Sequence, residues 1–111
     1  MLETGQFTVY ATFLAQKGKY EQMEAICRES LSLTKTAPGL QQVICLEPPN
    51  PEKPFVFVSI WHSKANFQAF LQTPDMREFH SKAAVQKMFD TAMQEATADF
   101  YSVMDAWEPA Q

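Results

Sequence analysis

The chain has 111 residues, a length typical of one domain, and 46% of its residues are hydrophobic. That apolar share, with nine Phe, excludes a disordered chain. The formal net charge is -4 and the nine Lys and Arg are scattered, so we expect no nucleic-acid partner, which would need clustered basic residues.

Targeting and redox signals are few. No apolar run approaches the roughly 20 residues of a membrane span, and residues 1–6 carry neither the positive charge nor the hydrophobic block of a signal peptide. We therefore expect a cytoplasmic protein that does not enter a membrane. Cys27 and Cys45 show no CxxC spacing, and we expect both to be buried as small hydrophobic side chains in a reducing compartment.

The first half of the chain predicts a strand, a helix and a second strand. Residues 7–15, FTVYATFLA, are rich in β-branched and aromatic side chains, as strands are. Residues 19–36 carry apolar side chains at spacings of three and four, which indicates a helix that ends at the Ala-Pro-Gly turn 37–39. Residues 40–47, LQQVICLE, predict the second strand.

The second half repeats this order. After a proline-rich loop, residues 55–62, FVFVSIWH, give the clearest strand signal. Ser63 is a suitable N-cap for a short helix, and Thr73-Pro74-Asp75 begins a further helix whose apolar stripe runs from residue 76 to residue 92. Residues 98–107, ADFYSVMDAW, predict the last strand.

The predicted order β-α-β-β-α-β is that of a ferredoxin-like α+β fold with an antiparallel sheet, in a single domain over residues 1–111 with its core at about 7–107. Two helices on one side leave the other sheet face uncovered. That face would hold Tyr10, Thr12 and Leu14 with either the Val56 set or the Phe55 set. Because a bare apolar face invites a partner, we expect a homodimer formed through it.

Three segments resemble the antibiotic-biosynthesis monooxygenase (ABM) family of dimeric α/β-barrel proteins. They are the opening strand and helix, TVYATFLAQKGKYEQMEAI, the turn Pro38-Gly39-Leu40, and the stretch SIWHSKANFQAFLQTPDMREF at residues 59–79. The resemblance implies a dimeric barrel. It also implies one of several activities, since some relatives oxidise quinols or polyketide phenols with O2 and no metal or flavin, whereas others bind haem and break it open.

The resemblance carries over to single positions only in part. His80 falls where the haem-degrading relatives place their axial His. Phe70 falls where the haem-degrading relatives place a catalytic Trp and where quinol-oxidising relatives often have His. Ala11 falls near the Asn that the haem-degrading relatives use on the first strand. One of three haem positions matches, so we expect no cofactor, with haem the disfavoured exception. The sequence also shows no metal-ligand spacing and no Gly-rich phosphate loop.

Oxygenation without a cofactor requires a substrate that can be deprotonated, a base, and an apolar chamber that excludes water. His80 is the candidate catalytic base, because His titrates near neutral pH; a surface role on the helix is the alternative. His62 is expected to face solvent at the end of its strand.

The candidate substrate pocket combines aromatic, Met and amide side chains, and each has a structural alternative. Core packing would explain the Phe, Met and Trp residues, a dimer face would explain the two tyrosines, and helix capping would explain the asparagine. The candidates are Trp61, Phe67, Phe70, Met76, Phe79, Tyr10, Tyr101 and Asn66.

Three functions remain open from the sequence. The first is a cofactor-independent monooxygenase that acts on a small aromatic, quinol or polyketide-like molecule. The second is a non-catalytic ligand-binding or interaction module of the same fold. The third, which the sequence favours least, is a haem-binding or haem-degrading monooxygenase using His80. Fold alone does not choose among them.

Overall fold

The computed structural model describes residues 2–110 and contains four strands and four helices. In chain order these are β1 (Phe7–Ala15), α1 (Tyr20–Thr34), β2 (Leu40–Leu46), β3 (Phe55–Trp61), α2 (Lys64–Leu71), α3 (Pro74–Phe79), α4 (Lys82–Thr91) and β4 (Met93–Ser102). The strands form one antiparallel sheet in the order β2-β3-β1-β4, which confirms the predicted ferredoxin-like topology. The ends of the predicted domain, Met1 and Gln111, lie outside the described residues.

The two faces of the sheet differ in what covers them. Phe55, Phe57 and Trp61 of β3 are buried against the helices. The alternating side chains of β3 therefore place the Val56 set on the opposite face, beside Tyr10 and Thr12 of β1. That second face is exposed and largely apolar. Of the two alternatives that the sequence left open, the Val56 set is the one that lies on it.

The predicted helix over the stripe from residue 76 to residue 92 is interrupted. The α3 helix ends at Phe79, and the Ser81 hydroxyl caps a new helix, α4, by accepting a hydrogen bond from the Ala84 N–H at 3.2 Å. His80 lies in the break as the C-cap residue of α3. The break matters for function because it places the His80 ring beside a cavity.

The last strand lies five residues earlier than the sequence predicted. It runs over Met93–Ser102, and its register against β1 joins Ala15 to Met93 and Phe7 to Ser102. As an edge strand that the helices barely cover, it carries polar residues at positions that show no apolar alternation.

None of the helices in the described part of the chain is long and apolar enough to cross a membrane.

Candidate functional site

A cavity of about 340 Å³ lies between the helices and the covered face of the sheet. Its floor is formed by β1 and β3, and its walls come from α1, α2 and the segment around the break between α3 and α4. It reaches the surface between α4 and β4, where the lining residues Phe89 of α4 and Ala96 and Ala98 of β4 are exposed. The volume lies near the lower end of the range for small-molecule sites, which suits a small aromatic ligand.

Aromatic side chains build the inner wall. Trp61 is fully buried, and its ring centroid lies 5.1 Å from that of Phe70 and 5.5 Å from that of Phe67. These three residues and Phe79, which are all pocket candidates from the sequence, line the cavity. Met76 packs with Trp61 and Phe70 in the same buried cluster and supports that wall from behind.

His80 is an exposed residue that the end of α3 holds at the open rim of the cavity, so both its catalytic role and its predicted surface role stay compatible with its position. Its backbone N–H donates to the Met76 carbonyl at 2.9 Å, and its ring meets the Phe79 ring edge-on with centroids 5.4 Å apart. Desolvation lowers the pKa of His80 below its ordinary 6.5. The imidazole is therefore neutral at neutral pH, with a lone pair available to accept a proton.

Ser59 adds a polar group that the sequence analysis did not select. The Trp61 Nε1–H donates to the Ser59 Oγ at 2.9 Å, and Ser59 is only 4% exposed while lining the cavity. That bond uses an oxygen lone pair and leaves the hydroxyl proton of Ser59 to be donated to a ligand oxygen. The signal was present in FVFVSIW, because strand alternation places this Ser on the same face as Trp61.

Two further hydroxyls lie on the α1 wall. Thr34 is 3% exposed and donates to the Ser30 carbonyl at 2.7 Å, so its oxygen keeps the ability to accept a hydrogen bond. Ser30 and Thr34 both line the cavity. They follow Met23 and Cys27 at helical spacing, which could have marked them as polar residues on a buried stripe.

The remaining predicted pocket residues lie elsewhere. Tyr10 and Tyr101 are on the uncovered face of the sheet, where their rings meet edge-on at 6.3 Å, because both belong to the set that alternates away from the helices. Asn66 caps α2 together with Ser63, whose Oγ accepts from the Asn66 N–H at 3.2 Å. His62 follows β3 as an exposed residue, which agrees with its predicted position.

The position of the Asn66 side chain also explains why residue 39 is a glycine. Gly39 has a φ of +83°, and a side chain at this position would collide with the Asn66 side chain. The Gly39 carbonyl accepts from the His62 N–H at 2.7 Å, so the turn, the cap and the end of β3 form one unit. This unit fixes where Trp61 enters the cavity wall.

The cavity is electrically neutral. Among the described residues that line it there is no Asp, Glu, Lys or Arg, and the titratable lining groups are His80 and Cys27. No cluster of three or more His, Cys, Asp or Glu side chains suited to a metal ion occurs within residues 2–110. The chamber therefore suits an uncharged, apolar molecule with a few oxygen atoms.

Comparison with family models gives one match. Residues 6–82 match the model described as "Antibiotic biosynthesis monooxygenase". The matched segment holds β1, Ser59, Trp61 and His80. No curated protein matches the chain by sequence.

Several solved structures share the fold. SnoaB, a cofactor-independent oxygenase from Streptomyces nogalater, is 14% identical and superposes with a TM-score of 0.71, covering 92% of this chain and 96% of its own. PA3566 from Pseudomonas aeruginosa is 16% identical, with a TM-score of 0.74 and coverages of 95% and 100%. A mutant of MhuD with two manganese protoporphyrin IX molecules per active site is 17% identical, with a TM-score of 0.70 and coverages of 93% and 99%. At these identities the likeness concerns the fold.

Proposed function

The chain belongs to the antibiotic biosynthesis monooxygenase family, and from that premise we propose that it is a cytoplasmic, cofactor-independent monooxygenase acting on a small aromatic, quinol or polyketide-like molecule. The observation that carries the proposal is the neutral, aromatic-walled cavity with His80 at its rim and the Ser59–Trp61 pair inside. The match to SnoaB in fold adds support, because that protein is a cofactor-independent oxygenase.

The proposed chemistry begins with proton removal. A phenol or activated methylene of the substrate gives its proton to the neutral His80 imidazole, and the resulting anion is rich enough in electrons to reduce O2. One oxygen atom joins a substrate carbon, which becomes a carbonyl, and the second oxygen leaves as water with two hydrogens of the substrate, both from the methylene or one each from the ring C–H and the hydroxyl of a phenol. The substrate supplies all the electrons, so the reaction balances with no other reductant.

Ser59 has the complementary role in this proposal. Its hydroxyl donates a hydrogen bond to the oxygen on which negative charge develops, and the bond from Trp61 Nε1 holds that hydroxyl in position and polarises it. The aromatic wall of Trp61, Phe67 and Phe70 excludes bulk water from the anion and its peroxide intermediate.

Oxygen uptake tests the proposal directly. Protein freed of metal and flavin is mixed with a panel of hydroquinones and polycyclic phenols in an oxygen electrode, and we expect uptake above the uncatalysed rate. Ala11→Leu, which extends a side chain from the β1 floor into the cavity, should abolish that uptake while circular dichroism stays unchanged. Binding of panel members without any uptake would instead support a non-catalytic binding module.

Haem fits this cavity poorly. His80 offers a neutral imidazole, which suits iron, but Phe70 stands where the haem-degrading relatives place a catalytic Trp. A porphyrin also carries two propionates, which are usually paired with cations, and the described lining residues include no Lys or Arg. We therefore derive no reaction step through haem.

We expect weak or no specific haem binding. The poor match of the cavity to the propionates predicts a shallow, non-saturating change of the Soret band when the protein is titrated with hemin. A sharp stoichiometric shift that disappears in His80→Ala would contradict this expectation and support a haem enzyme.

We also propose a homodimer formed through the uncovered sheet face. Light scattering at micromolar concentration should give twice the 12.6 kDa mass of one chain. Ile44→Lys, which places a charge on the exposed apolar face, should shift the mass toward that of the monomer. A wild-type protein that remains monomeric under these conditions would refute the sheet-to-sheet assembly.

A further inference from the structure

Two free cysteines on neighbouring elements lie in contact. Cys45 of β2 is paired in register with Phe57, so its side chain points to the helix side of the sheet. There it packs against the buried cluster that contains Cys27 of α1, and each thiol is close enough to influence the pKa of the other. The sequence predicts two buried side chains with no close pairing. The structure buries Cys27, leaves Cys45 partly exposed and brings the two side chains close together.

The environments of the two thiols differ. Cys27 is 2% exposed, and burial raises its pKa to about 12. Cys45 is partly exposed; burial raises its pKa overall, and the neighbouring Cys27 thiol and the guanidinium of Arg28 offset part of that rise. Of the two thiols, Cys45 is the more exposed and the one beside a positive charge, so it is the thiol that an oxidant meets first.

We propose that Cys45 and Cys27 form a reversible disulfide when the protein encounters a hydroperoxide. In the first step the Cys45 sulfur attacks the peroxide, the O–O bond breaks, and a sulfenic acid forms with release of water or an alcohol. In the second step the Cys27 sulfur attacks the Cys45 sulfur, the S–O bond breaks, and the hydroxide leaves as water with the proton of the Cys27 thiol. Two thiols lose two electrons and two protons, and the peroxide takes them up.

The disulfide between Cys27 and Cys45 would change the shape of the cavity. It requires the two sulfur atoms to close to about 2.05 Å, which draws α1 and the edge strand β2 together. Cys27 lines the cavity, so the cross-link displaces one wall of the candidate active site. Because Cys45 lies on the helix side of the sheet, a dimer formed through the opposite face would leave it accessible.

Thiol counting tests the proposal independently of any catalytic activity. The folded protein is treated with a small excess of hydrogen peroxide, then denatured and alkylated, and alkylated cysteines are counted by mass spectrometry. We expect two before treatment, none after it, and two again after reduction. Trypsin should release residues 20–28 joined to residues 36–64 as a reducible pair. Counting alkyl groups separates this change from oxidation of the six Met.

Three variants make the test specific. Cys27→Ser should leave Cys45 to oxidise further to acids that reduction does not reverse, and Cys45→Ser should leave Cys27 alkylatable after peroxide. Arg28→Gln, a change at an exposed residue paired with Glu24, should slow disulfide formation by about two- to fivefold. The proposal is overturned if wild type keeps two alkylatable thiols, or if its disulfides join separate chains.

Discussion

His80→Ala lowers the rate of O2 uptake by at least about tenfold on any substrate that the wild-type protein oxidises. Loss of a general base typically costs about 100- to 10,000-fold, and the smaller lower bound allows for water replacing the imidazole at the open rim of the cavity. Oxygen-electrode turnover gives the rates, and circular dichroism establishes that each variant is folded. His62→Ala is the matched control, since both His residues are exposed but His62 does not line the cavity, and its rate should stay close to wild type.

The pH profile separates a base from a merely structural residue. Because desolvation lowers the pKa of His80 below 6.5, protonation switches the base off only in acid. The wild-type rate should therefore rise with pH through an apparent pKa below 6.5 and remain level at neutral pH, and this acid limb should be missing from the residual activity of His80→Ala. Full activity in His80→Ala would show that His80 is not the base.

Trp61→Ala should destabilise the fold by about 3–5 kcal/mol, the cost of removing a large aromatic side chain from a core. Trp61 is fully buried between Phe67 and Phe70, and its loss also leaves the Ser59 hydroxyl without its donor. Against a typical total stability of about 5–15 kcal/mol, this is a large fraction. Urea unfolding followed by circular dichroism, at one protein concentration, gives the free energy of unfolding.

The chain supplies a matched control for this measurement. Its other tryptophan, Trp107, is 84% exposed beyond β4, so Trp107→Ala should change the free energy of unfolding of one chain by no more than about 0.5 kcal/mol. Equal effects of the two substitutions would show that Trp61 does not anchor the core.

The fold could be predicted where local pattern and burial agree. The β3 segment FVFVSIW alternates between a fully buried and a half-buried face, and the β1 segment FTVYATFLA begins and ends at the predicted residues. The aromatic residues of the cavity followed from the same reasoning, since Trp61 ends β3 and Phe67 and Phe70 lie on the α2 face that packs against it.

Other features depend on tertiary contacts that no single window of sequence contains. The register of β4 is set by pairing with β1, and its polar residues gave no strand signal, so the strand was placed five residues late. From the sequence, Tyr10 and Tyr101 are candidates either for the pocket or for a dimer face, because the face on which a strand residue lies depends on where the helices pack. Ser81 is a suitable N-cap residue, but the sequence predicts no break in the helix there because the apolar stripe continues across it.

Isotope labelling tests the central proposal, that this cavity supports oxygenation with O2 and no cofactor, most directly. The metal- and flavin-free protein is given its best panel substrate under ¹⁸O2, with a parallel reaction in ¹⁸O-labelled water, and the product is analysed by mass spectrometry immediately after quenching. The proposal predicts one ¹⁸O atom per product molecule from O2 and none from water, with labelled product strongly reduced in His80→Ala. Product that carries oxygen from water alone, or no product from any panel member, would contradict it.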